Sequence, residues 1–180
     1  MRTIRIMTDS CADLPVSYQK EKNIAVIDFS IFLNGQEIGV DSTWSTISSA
    51  DLYGNLRKGV RVWTLPATNH EIRTKMREVL EEGNDIIFIG TSEKQSTTVT
   101  KARRVAKTLQ NEFPDAKIAV IDSLNASIGI TLCVMHAVEC LEKGMKFEKI
   151  VESTEAIRNH VIQFATVETL TYLSKANKIN

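Results

Sequence analysis

The apolar positions alternate between two kinds of segment. Short apolar-rich runs occupy residues 3–8, 24–29, 85–89 and 116–121. Runs of this length read as strands, the last two with the pattern of strands covered on both faces. Between them lie longer stretches with helical spacing, at 15–22, 48–58, 69–82, 98–112, 126–143 and 147–159. Their ends are punctuated. Ser48 or Ser49 caps the second, Thr68 and Asn69 the third, and Gly59, Gly83 and Gly144 follow helix ends, where a left-handed residue closes the last turn. Pro15 suits a first helical turn, with Asp13 as its N-cap. The strand at 24–29 runs on through Ser30 to Leu33 and meets Asn34-Gly35, the pair that a tight hairpin needs, with a return strand at 37–40. A brief extended piece at 60–63, a last strand at 161–166 and a short terminal helix at 168–175 complete the order.

Strands alternating with helices predict an α/β protein with a largely parallel sheet and helices on both faces. Right-handed crossovers then bring the carboxyl ends of the strands to one rim, the edge at which such sheets bind ligands. The chain has 180 residues, 43% hydrophobic and 24% charged, enough for one domain, or one domain and part of a second. Lys plus Arg and Asp plus Glu number 22 each, so the formal net charge is zero. No basic field for nucleic acid exists, and no apolar run is long enough to insert in a membrane. Three cysteines without a C-x-x-C pair and a first strand starting at the N-terminus without a leader predict a cytoplasmic protein.

Three strand ends carry a similar polar signature: Asp9-Ser10, Thr91-Ser92 and Asp122-Ser123. Hydroxyls at helix entrances, beside free backbone N–H groups, suit an anion. The richest is Ser92 to Thr98, with Ser96 and Thr97 between them. Simple N-capping explains any one of these residues equally well. Catalytic signatures are absent: there is no G-x-G-x-x-G, no P-loop and no G-x-S-x-G. His70, His136 and His160 lack metal-ligand spacing, and His136 lies inside an apolar helix. Asp9, Asp13 and Asp122 have no spacing that demands a cation. Cys11 lacks a neighbouring base, Cys133 and Cys140 read as buried thiols, and Trp44 and Trp63 are too isolated for base stacking. No metal, no cofactor and no catalytic residue is expected.

The segment Thr8-Asp9-Ser10-Cys11-Ala12-Asp13-Leu14-Pro15 resembles the opening motif of the DegV family, bacterial fatty-acid-binding proteins of which some are the acyl-binding subunit of a fatty acid kinase. Asn34-Gly35, Gly39-Val40-Asp41, Val120-Ile121-Asp122-Ser123 with Ala126-Ser127, and Thr169-Leu170-Thr171-Tyr172-Leu173 are similar to later family segments, in the same order. The resemblance implies an acyl carboxylate held by hydroxyls from two segments. One, T-S-Q-P-S in the family, is Thr64-Leu65-Pro66-Ala67-Thr68 here. The other, S-S-K-L-S-G-T, is Ser92-Glu93-Lys94-Gln95-Ser96-Thr97-Thr98. Thr64, Ser92 and Ser96, with Thr68 and Ser10, are therefore the expected ligand-binding residues.

Two departures weigh against a simple carry-over. Glu93 stands in place of a serine, where a carboxylate repels another unless it turns outward or is protonated, and Thr97 replaces a glycine. The resemblance also implies a second domain that is absent here. Residues 1–166 form the DegV-like domain, and 167–180 begin the connection, with Lys178 in place of an arginine. An acyl chain left uncovered forfeits about 0.8 kcal/mol per CH₂, which a homodimer can restore. The leading reading is a non-enzymatic carrier of a long-chain fatty acid, presenting it to a kinase partner. The alternative is a diverged or truncated module that has lost the lipid and acts through protein–protein contacts. A third is an enzyme using Asp9, Ser10 and His70 on a phosphorylated or carboxylated small molecule.

Overall fold

The computed structural model describes residues 2–39 and 43–175; Val40, Asp41 and Lys178 lie outside them. In chain order the elements are β1 (Thr3–Asp9), a 3-10 turn (Ser10–Ala12), α1 (Val16–Glu21), β2 (Ala25–Ile27), β3 (Ser30–Leu33), β4 (Gln36–Glu37), α2 (Ser49–Arg57) and β5 (Val62–Leu65). They continue with α3 (Asn69–Glu81), β6 (Asn84–Gly90), α4 (Thr98–Glu112), β7 (Ile118–Asp122), α5 (Ile128–Glu142), α6 (Phe147–Ile157) and α7 (Thr171–Lys175).

Four strands form a parallel sheet in the order β2-β1-β6-β7. Alternation along each strand sends its side chains into two separate cores. Ile86 and Phe88 of β6, with Met7 of β1, pack against Ile72 and Met76 of α3 and Val99 and Leu109 of α4. Ile87 and Ile89, with Ile6, pack on the opposite face against Ile130 and Val134 of α5 and Ile150 of α6. The unbroken apolar run of β6 is thus the consequence of helices on both sides. The α/β class and the parallel sheet are as the pattern predicts.

A smaller antiparallel sheet, β4-β3-β5, is inserted between β2 and α3. Its own core joins Ile31 and Leu52 to Ile47 and Val62, and Phe32 stacks on Trp63 at 5.3 Å between ring centroids. The hairpin forms at Asn34 (φ 50°) and Gly35 (φ 86°), two left-handed residues as a type I′ turn requires.

The structure departs from the sequence pattern in three places. The expected strand from 24 to 33 is two strands in different sheets. The parallel ladder stops at the Asp9–Ile27 pair, and the next N–H, of Phe29, turns to Ser10 Oγ at 3.0 Å. Asp13 is not the cap of α1, whose N-cap is Pro15; Asp13 takes a left-handed backbone (φ 50°) and spends its carboxylate on Ser127 Oγ–H at 2.5 Å. The expected strand at 161–166 does not form. Its apolar residues are present, but among the described residues no strand pairs with it, and Ile162 and Phe164 stand 77% and 94% exposed. A strand is stable only with a partner for its N–H and C=O groups.

Candidate functional site

The first crossover runs from β1 to β2 on one side of the sheet, and the next parallel strand, β6, lies on the other side of β1. Strand order reverses between β1 and β6, and a crevice opens at their carboxyl ends, as this topology dictates. Its volume is about 1020 Å³, at the upper end of the range for small-molecule sites. One part of its wall is apolar, with Leu14, Val26, Phe29, Ile31, Trp44 and Leu173; the polar part comes from the end of β1 and the turn after it, from Thr64 of β5, and from the segments that follow β6 and β7.

Asp9 anchors the polar side. It is fully buried, and its Oδ2 accepts the Thr91 N–H at 2.7 Å. Oδ1 accepts Thr91 Oγ1–H at 2.8 Å and the Cys11 N–H at 3.1 Å. The two bonds from Thr91 lock the end of β1 to the end of β6, and the Cys11 N–H closes the turn after Asp9. Burial pushes the carboxyl above its usual range, and the Thr91 and Cys11 donors only partly offset it. Burial, and then the Asp9 charge, push the Cys11 thiol up to about 12. A thiol held that high is no nucleophile.

Of the residues expected to bind ligand, three line the crevice: Thr64, Ser96 and Ser10. Thr64 sits on β5, opposite Ile31 of β3, and is exposed. Ser96 Oγ lies 2.9 Å from Thr98 Oγ1 and accepts the Thr98 N–H at 3.3 Å. Ser10 Oγ accepts from Phe29, which leaves its own proton to donate. Lys101 Nζ donates to Ala67 O at 2.9 Å and so fastens the Thr64–Thr68 segment to α4, beside Ser96.

Ser92 and Thr68 are placed differently. Neither lines the crevice. Ser92 is buried; its Oγ accepts the Lys94 N–H at 3.3 Å, and its carbonyl takes the N–H groups of Gln95 and Ser96. It builds the turn that displays Ser96. Thr68 is the N-cap of α3, in a reciprocal capping box with Glu71. Hydrogen bonds from Thr68 hold Glu71 below the ordinary carboxylate range.

The two departures from the family pattern lose their force in three dimensions. Glu93 turns away from the crevice, accepting Thr100 Oγ1–H at 2.7 Å and pairing with Arg103 at 2.6 Å; both interactions, the Thr100 hydroxyl first, lower its pKa. Thr97 has φ −86°, a conformation any residue adopts, so no glycine is needed there. His70 is exposed in the first turn of α3 and outside the crevice wall, which separates it from Asp9 and Ser10. His136 bonds to Ser153 at 2.7 Å, between α5 and α6. Among the described residues no three His, Cys, Asp or Glu side chains cluster to hold a metal, and no helix is long and apolar enough to cross a membrane.

Lys94, Trp44, Phe29 and the Asp13–Ser127 pair also belong to the wall and were not among the residues expected to bind ligand. Lys94 had a visible signal, lying between Ser92 and Ser96. Ser127 had none. It takes a strained backbone (φ 48°, ψ −127°) and meets Asp13 across 114 positions of sequence.

Comparison with known proteins places this geometry. Residues 3–180 match the family described as an uncharacterised protein, DegV family. A DegV domain-containing protein of Clostridium perfringens is 26% identical over 180 residues, covering 100% of this chain and 62% of the relative. One from Staphylococcus aureus is 28% identical over 175 residues, covering 97% and 60%. Among solved structures, a fatty-acid-binding DegV family protein from Thermus thermophilus superposes with a TM-score of 0.84 at 28% identity, over 98% of this chain and 60% of that one. DegV of Bacillus subtilis, a fatty acid binding protein, gives 0.76 at 18% identity, over 97% and 60%, and at that identity shares the fold alone. The chain spans about 60% of the length of these relatives. With the opening motif, the strand order and the family match along almost its whole length in agreement, this chain belongs to the DegV family.

Proposed function

We propose that the chain binds a single-tailed long-chain fatty acid in the crevice at the β1/β6 switch point. Thr64 and Ser96 donate to the carboxylate, with Ser10 behind them, and the tail lies along Leu14, Phe29 and Trp44. Ser92 and Thr68 support the two hydroxyl segments through the turn and the capping box. One observation carries the reading: a large crevice, apolar on one side and hydroxyl-lined on the other, with Glu93 bonded to Thr100 outside its wall. Each CH₂ the wall covers contributes about 0.8 kcal/mol, so the tail supplies affinity and the hydroxyls fix its direction. The likeness to the Thermus thermophilus protein supports the same ligand.

The bound acid is then presented to a kinase partner, in the cytoplasm, where three free thiols are stable. A homodimer would cover the open side of the tail. The reading in which the lipid has been lost rests on Glu93, on Thr97 and on the expected lack of a second domain; the outward turn of Glu93 removes the first of these grounds. Native mass spectrometry of the protein purified without added lipid, followed by organic extraction, tests the proposal. A stoichiometric fatty acid is the expected result. A folded protein that carries no lipid and shows no saturable binding of palmitate overturns it.

A further inference from the structure

The wall of the crevice is unequally charged. Lys94 is the one basic side chain among the described residues that line it, and it is exposed at the mouth. Three carboxylates lie close to it in sequence or share its wall, and each is engaged elsewhere. Glu93 is held by Thr100 and Arg103 on the outer face of α4. Asp13 accepts from Ser127, and Asp9 is buried beneath Thr91 and Cys11. Among the described residues no carboxylate pairs with the Lys94 ammonium, although the acid preceding it in sequence forms an ion pair with another residue. The Lys94 backbone is fixed, its N–H bonded to Ser92 Oγ, while its flexible stem and three donors are left to follow a ligand.

This arrangement separates two tasks within one head-group site. The hydroxyls of Thr64 and Ser96 donate to a carboxylate, but a hydroxyl also bonds well to an alcohol or an ester carbonyl. Hydroxyls alone therefore fix the position of a head group without reading its charge. An unpaired ammonium reads charge, because its attraction acts only on an anion and costs little desolvation at the mouth of a crevice.

Building on the fatty-acid reading above, we propose that Lys94 is the charge-selecting residue of this site, pairing with an anionic head group held against Thr64 and Ser96 and discriminating it from uncharged lipids of equal chain length. Lys94 is exposed, so its replacement leaves the fold intact, as circular dichroism checks. Wild type, Lys94→Gln and Lys94→Arg are titrated with palmitate and with hexadecanol, each at about 50 mM and about 500 mM salt, spanning strong and weak screening.

Lys94→Gln is expected to weaken palmitate about fivefold to tenfold and to remove the salt dependence. Lys94→Arg restores both, and hexadecanol binds all three proteins alike and more weakly than palmitate binds the wild type. Palmitate binding to Lys94→Gln with wild-type affinity and wild-type salt dependence overturns the role of Lys94 while leaving the fatty-acid reading standing. Hexadecanol binding to the wild type as tightly as palmitate does the same. Failure of both lipids to bind the wild type overturns the fatty-acid reading itself, and this inference with it.

Discussion

Thr91→Val probes the junction on which the crevice is built. The two side chains have nearly the same shape, so the substitution removes one hydroxyl and little else. Thr91 is 4% exposed and Asp9 0%, and the bond lost is Oγ1–H to Asp9 Oδ1 at 2.8 Å. The Thr91 N–H and Cys11 N–H bonds to the same carboxylate remain. A hydrogen bond to a charged group is worth about 1.5–3 kcal/mol, so a loss of about 2 kcal/mol is expected at neutral pH. With a urea slope of about 2 kcal/mol/M the unfolding midpoint falls by about 1 M.

The pH dependence has a definite sign. Burial raises the Asp9 carboxyl in the folded protein above the ordinary carboxylate range. Its contribution to stability is therefore fully present below the unfolded pKa and is lost as pH rises through the folded pKa. The Thr91 hydroxyl favours the charged form and works against that shift. Without it the folded carboxyl titrates higher still, and stability is lost over a wider window. The gap between wild type and variant is thus small in acid, opens as pH rises through the Asp9 titration, and is constant above it. Urea unfolding followed by circular dichroism at several pH values measures the gap directly. A gap independent of pH, or one below about 0.5 kcal/mol at pH 7, refutes the charged hydrogen bond as the source of the effect.

Other substitutions separate the crevice from its supports. Glu93→Ser is expected to leave palmitate affinity within about twofold and to cost no more than about 1 kcal/mol, since its pair with Arg103 is partly exposed; a large gain in affinity in a titration shows that the acid does face the ligand. Thr68→Ala removes the capping box of α3 and is expected to cost about 1 kcal/mol in a thermal or urea melt, with palmitate binding unchanged. Cys11, its thiol pushed up to about 12, is expected to react with iodoacetamide at pH 8 far more slowly than a free thiol. Alkylation at the free-thiol rate, read by peptide mass spectrometry, contradicts the burial of its charge.

Much of this protein was legible in the linear chain, because much of it is set by local periodicity. The run at 85–89 announces a strand covered on both sides, and the structure covers β6 with α3 and α4 on one face and α5 and α6 on the other. Asn34-Gly35 specifies its own turn, since two left-handed residues in succession favour one hairpin geometry. Thr68 and Glu71 satisfy each other three residues apart, and no distant contact is required for the cap.

Tertiary structure decided what depends on partners far away in sequence. The pattern at 24–33 shows an extended chain but not that Phe29 leaves the ladder for Ser10, because that choice is made by where β1 ends. The apolar-rich run at 161–166 reads as a strand, yet pairing needs a neighbour that a pattern cannot supply. Asp13 has the composition of an N-cap and is claimed instead by Ser127 from the other end of the chain. The site divides in the same way. The residue types that hold a carboxylate are written in order along the chain, at Thr64 and from Ser92 to Ser96. Which of them face the crevice is not. That Ser96 lines it while Ser92 builds the turn, and that Glu93 pairs outward while Lys94 lines the wall, follows from the path of the chain into α4. Side-chain direction at a turn is set by packing in three dimensions.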